Sequence, residues 1–190
     1  MAGVSSATPL VALDAVVIDT ETTGLDPRKA WIVEIGAVRL VEGRLDTAAS
    51  LQSRVRPPVS IPAVATGIHG IDDAAVRNAP GFADVWPKVS AFMHNGVLVG
   101  HAIAFDLAVI EREVVRVDAA WTRPRTLDTR FLAEVAEPNL ADYSLDTAAA
   151  WLGVEVGARH TAFGDAVTAA RIFVALVPKL RARGIRTLAE

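Results

Sequence analysis

Two short runs of apolar, largely β-branched residues restrict the possible folds of this chain more than any other feature. AVVID at 15–19 and VLVGH at 97–101 show no polar–apolar alternation. Each therefore reads as a strand covered on both faces, as in sheets sandwiched between helices. Between them, WIVEIGAVRLVEGRLDTAASLQSRVRP reads as two strands joined by a tight turn at Glu42-Gly43, a hairpin. Segments 61–69 and 72–78 read as short helices, and 81–94 as a longer one carrying His94 in its last turn and ended by Asn95-Gly96. After the second buried strand, Leu107, Ile110, Val114 and Val117 recur at helical spacing over 107–117. Further helices are expected at 127–136, at 144–152 opening with Ser144, and at 163–182. Strand, hairpin, helices, strand and helix add up to an α/β domain with a mixed sheet.

Composition matters here mainly for what it removes. The chain has 190 residues, 52% of them hydrophobic, and a mean hydropathy of +0.34, so a compact globule is expected rather than disorder. It contains no cysteine, which excludes disulfides, a thiol nucleophile, thiolate-held zinc and iron–sulfur clusters. The N-terminal stretch lacks a basic segment, its apolar part is interrupted by Asp14, and no run is long enough to span a bilayer. No membrane association and a cytoplasmic location are therefore expected. A net charge of −3 argues against broad coating of nucleic acid. Arg123, Arg125, Lys179, Arg181, Arg183 and Arg186 offer either local phosphate attraction or an ordinary solvated surface.

Three places carry candidate chemistry. Asp19 and Glu21 stand two apart at the end of the first strand, so both project from one face, about 7 Å apart at Cα. Two such carboxylates either grip a hard divalent cation or form a solvated strand end. Asp106 falls at the junction of the second buried strand and its helix, where it either caps the helix or faces a ligand at the strand's carboxyl end. His160 and Asp165 lie five apart and would diverge by about 140° on one helix. They converge if His160 sits in the preceding loop and Asp165 one turn into the helix. Four carboxylates and one histidine, spread over three strand–helix junctions, are hard to explain as surface residues.

These residues resemble the DEDDh group of 3′→5′ exonucleases, the DnaQ-like family. The first motif stands as VVIDTETTGLDPRKAWIVEIGAVRL, the second as GHAIAFD and the third as HTAFGDA, with TGIHGID (66–72), TLDT (126–129) and YSLDTAAAWLGV (143–154) between them. The resemblance spans about residues 14–175. It implies a ribonuclease H-like α/β fold, a five-stranded mixed sheet flanked by helices, within one exonuclease domain over 1–190 whose core is about 14–178. It also implies stepwise release of nucleotides from a 3′ end, in DNA replication and repair. Asp19, Glu21, Asp106 and Asp165 would hold two Mg²⁺ or Mn²⁺ ions, and His160 would be the general base. Thr161 stands where a tyrosine-type relative has its Tyr, so the chain falls in the histidine branch.

Such ions fit an all-oxygen donor set and can activate water and clamp an in-line displacement at phosphorus. The resemblance further brings Thr22, Thr23, Gly24 and Leu25 to the terminal nucleotide, with His69 and Phe105 near its base or sugar. Residue by residue, Phe105 also fits a core aromatic, His69 a polar loop residue, and His101 a structural role. One departure is Ala102, where many relatives have Asn. The expected partner is a single-stranded or frayed 3′ end, DNA favoured over RNA, with a DNA polymerase as a candidate protein partner. The chain ends 25 residues past Asp165, so a free-standing nuclease is expected as readily as a polymerase subunit. An exoribonuclease and a catalytically silent nucleic-acid-binding module are the alternatives.

Overall fold

The structure is a computed structural model that describes residues 5–93 and 96–190. His94 and Asn95, read above as a helix end, lie outside the described residues. The two buried runs become neighbouring parallel strands, β1 (Ala15–Thr22) and β4 (Val97–Gly100). The hairpin forms β2 (Ile32–Val41) and β3 (Arg44–Arg54), with β2 antiparallel to both β1 and β3. Its turn places Glu42 at φ 49° and Gly43 at φ 71°, the left-handed pair that suits the twist of a two-residue hairpin. A fifth strand, β5 (Thr126–Asp128), runs parallel to β4 and completes a mixed sheet of order β3-β2-β1-β4-β5.

Helices cover both faces. In chain order they are α1 (Ala63–His69), α2 (Asp73–Val76), α3 (Phe82–Met93), α4 (Ala104–Arg116), α5 (Thr129–Ala136), α6 (Leu145–Leu152) and α7 (Ala162–Ala182). One core joins Val17, Val38 and Val99 to Phe173 and Leu176 of α7. The other joins Ile18, Ile35 and Leu98 to Val89 of α3 and Ile110 of α4. Each such side chain contributes roughly 1.5–3 kcal/mol on burial. Ser144 opens α6 as expected, its Oγ accepting from the Thr147 amide at 3.2 Å.

Two expectations need correction. The segment 127–136 is not all helix: 126–128 is β5, and α5 begins only at Thr129. Three residues are too few to show a period, and Asp128 caps α5 by accepting from the Arg130 amide, which made the segment read as a helix start. Nor is Asp106 a cap. The helix starts earlier, at Ala104, and Asp106 lies in its first turn. No helix among the described residues is long and apolar enough to cross a membrane.

Candidate active site

Alternation along β1 turns Asp19 and Glu21 toward the α7 face, while Thr20 turns toward α4. The Thr20 hydroxyl donates to Asp106 Oδ1 at 2.6 Å, tying the start of α4 to the strand end. Asp165 arrives from the other side. Gly36 on β2 faces the first turn of α7 so closely that a Cβ there would lie 2.2 Å from the Ala162 carbonyl carbon and the Phe163 nitrogen. That approach delivers Asp165 to β1. Among the described residues, carboxylate oxygens of Asp19, Glu21 and Asp165 lie within 4.8 Å of one another.

Such crowding opposes ionisation. The Asp19 carboxyl is pushed well above the usual range, first by burial and then by Asp106, Asp165 and Glu21. Glu21 is raised to about 7 by burial, Asp165 and Glu34. Burial also raises Asp106, although the Thr20 hydroxyl bond works in the opposite direction. One internal cation partly offsets the repulsion. Arg159 pairs through Nη1 with Asp165 Oδ1 and holds Asp146 by bonds of 2.7 and 3.3 Å. An all-oxygen donor set whose repulsion one guanidinium only partly relieves suits a hard divalent cation.

His160 lies in the loop before α7, exposed and left-handed at φ 58°. Its amide donates to Asp165 Oδ2 at 3.2 Å, so loop and helix converge as the spacing required. Thr161 caps α7 by accepting from Gly164, and Gly164 lets the loop fold back, since a Cβ there would meet the Ala158 oxygen at 2.0 Å.

The residues expected at the terminal nucleotide form a connected rim. Thr22 Oγ1 donates to the Gly24 carbonyl at 2.8 Å, and Leu25 is 84% exposed at the loop tip. Thr23 is bracketed by Trp31, donating its amide to the Trp31 carbonyl and accepting from the Trp31 amide on Oγ1, both at 2.9 Å. His69 is buried. Its Nδ1 accepts from the Ile71 amide at 3.0 Å and its Nε2 faces the Thr22 carbonyl at 3.2 Å, so both ring nitrogens engage backbone. Phe105 is half-buried against the α3–α4 core. His101 is held between Thr129 Oγ1 and the Tyr143 carbonyl, both at 2.9 Å, and does not join the carboxylates. Ala102 adopts φ 58°, a conformation that Asn tolerates better than Ala.

Sequence reasoning missed Glu34. It is 1% exposed and stands opposite Glu21 in the β1–β2 ladder. Its carboxylate accepts from the Ala162 amide at 2.9 Å and from Arg54 Nε at 2.9 Å. It thereby locks the start of α7 to β2. A charged residue within the otherwise apolar IVEIGAV was the available signal.

A ribonuclease H-like sheet with carboxylates drawn together from β1, α4 and α7 fits a nuclease class of fold and site. The family model described as Exonuclease (RNase_T) matches residues 16–173, so the chain belongs to that exonuclease family. A DNA polymerase III subunit epsilon-like protein of Rhodobacter capsulatus is 41% identical over 183 residues, which is 95% of this chain but 26% of that relative. The DNA polymerase III subunit epsilon of Aquifex aeolicus is 32% identical, covering 87% of this chain and 81% of its own length. Among solved structures, Exonuclease X in complex with 5′-overhanging duplex DNA superposes with a TM-score of 0.67 at 26% identity, covering 90% of this chain and 93% of that one.

Proposed function

We propose that the chain is a metal-dependent 3′→5′ exonuclease that removes nucleotides from the 3′ end of DNA. The observation carrying this reading is the convergence of Asp19, Glu21 and Asp165 oxygens within 4.8 Å, with Asp106 tied beside them through Thr20. These four carboxylates would hold two divalent ions, Mg²⁺ or Mn²⁺. Bound there, such ions lower the pKa of water and neutralise charge developing at phosphorus.

The chain's own groups do the rest. His160, exposed on the rim, takes the proton from the attacking water at an imidazole nitrogen. Its backbone N–H, donated to Asp165, keeps it beside the carboxylates. The Thr22–Leu25 loop receives the terminal nucleotide, where exposed Leu25 and half-buried Phe105 offer apolar surface to the last base. His69 acts on that nucleotide through the Thr22 carbonyl it holds. DNA is favoured because the relatives are DNA polymerase III subunits and Exonuclease X carries DNA. A cytoplasmic location and a DNA polymerase as protein partner follow from the same reading.

The test incubates the protein with 5′-labelled single-stranded DNA, mismatched duplex DNA and RNA, each with Mg²⁺, Mn²⁺ or a chelator. A ladder shortening from the 3′ end is expected on DNA with either ion, absent with chelator and absent in Asp19→Ala. A ladder on RNA alone would replace this reading with an exoribonuclease. Intact substrates throughout would leave a nucleic-acid-binding module.

A further inference from the structure

We propose that a groove on the α3–α4 face, joined to the Thr22–Leu25 loop through Trp31, binds the unpaired strand just upstream of the terminal nucleotide, with Trp31 and Arg116 as its anchors. The inference rests on the exonuclease reading and extends its substrate site to further nucleotides. The groove encloses about 570 Å³ between the start of β2, the segment after β3, the start of α3 and the last turn of α4. Trp31, Pro57 and Phe82 supply apolar wall, while Arg56, Glu113 and Arg116 supply the polar groups.

Three observations point to a nucleic-acid strand. First, the groove continues the candidate site. Trp31 is bonded to Thr23 by two 2.9 Å hydrogen bonds, and Ile32 pairs with Thr22 in the ladder. The wall of the groove and the loop assigned to the terminal nucleotide are thus one rigid unit.

Second, the aromatic wall is prepared for a planar, anionic ligand. The Arg116 guanidinium lies 3.4 Å from the Trp31 ring centroid, and Glu113 Oε1 holds it from the side at 3.6 Å. A guanidinium seated over an indole offers its outer face to a base and its N–H donors to a phosphate.

Third, the charge is of the right sign. Arg112 lies 5.3 Å from the same ring, gives Nη2 to the Ala30 carbonyl, and has no carboxylate within ion-pair distance among the described residues. Its Nε and Nη1 are buried without a hydrogen-bond partner there. Arg112 adds this charge from behind the wall, while in the groove itself the guanidiniums of Arg56 and Arg116 outnumber one buried carboxylate, Glu113, with the exposed Asp84 beside Gly81. Stacking and phosphate contacts carry no base code, so the groove would accept any sequence.

The experiment measures Trp31→Ala, Trp31→Phe and Arg116→Gln in two ways. Fluorescence anisotropy in chelator reads the binding of single-stranded DNA of about twelve nucleotides without cleavage. Steady-state kinetics with Mn²⁺ compares that oligonucleotide with a dinucleotide. The expected result is at least fivefold weaker binding in Trp31→Ala and Arg116→Gln, near-normal binding in Trp31→Phe, and a salt dependence for Arg116→Gln shallower by about one phosphate contact. KM for the long strand should rise at least fivefold more than KM for the dinucleotide, with kcat little changed. Arg116 is on the surface, so its variant keeps the test decisive if Trp31→Ala fails to fold. Unchanged binding in both variants, or equal losses on long and short substrates, would overturn the groove. Wild type that binds through Trp31 yet cleaves nothing would overturn the nuclease reading alone.

Discussion

Asp19 and Glu21 are held where burial and neighbouring carboxylates both resist their charge, and this has a measurable consequence without metal. Folding raises the Glu21 carboxyl from an ordinary 4.5 to about 7. Between those values Glu21 binds more proton in the folded chain than in the unfolded one, so its contribution to stability falls as pH rises through the window. His69 and His101 act in the opposite sense, because burial lowers their pKa values and they charge more readily when unfolded. Thermal melts in chelator from about pH 5 to pH 7.5 should therefore show a steeper decline in wild type than in Glu21→Gln, where the histidine contribution is shared. Divalent ions should raise the melting temperature most at the alkaline end, where the ligands are ionised. Identical slopes in the two proteins would show that Glu21 does not carry the shift.

That Asp19 and Glu21 share a face, and that a loop His160 converges with a helical Asp165, was legible from strand and helix geometry alone. Glu34 and Arg159 were not. Glu34 is defined by an amide 128 residues away, and Arg159 by Asp146 and Asp165 on two different helices. No local pattern encodes such partners.

Among the elements, the approach of α7 to β2 decides whether a site forms. Gly36 is the point of contact, and Glu34 binds the same helix start two residues earlier. Gly36→Ala should push α7 outward, costing about 1–3 kcal/mol as overpacking does. Because α7 carries Asp165, nuclease activity should fall more than tenfold even where the protein remains folded. Denaturant unfolding and turnover read together check this, and full activity in a stable variant would contradict it. The long elements, α7 and the β2–β3 hairpin, announced themselves by period and turn chemistry. The three-residue β5 and the early start of α4 at Ala104 did not. Pairing with β4 makes β5 a strand, and the fit of α4 over the sheet sets its first turn.

At the scale of the whole molecule, one sheet with both faces covered leaves its functional surface at the end where β1 stops, β2 starts and α4 and α7 begin. The carboxylates, His160 and the Thr22–Leu25 loop share that end, and the Trp31 groove adjoins it through the start of β2. A 3′ terminus entering there would meet ligands, base and stacking surface in continuity. The measurement that tests this most directly joins Mn²⁺ titration calorimetry to single-turnover cleavage of 5′-labelled DNA for wild type, Asp19→Asn and His160→Ala. The account predicts that Asp19→Asn loses most metal affinity and all detectable cleavage. His160→Ala should keep metal and oligonucleotide affinity while cleaving at least a hundredfold more slowly, the scale of a lost general base. Near-normal cleavage by His160→Ala, or unaltered metal binding by Asp19→Asn, would contradict it.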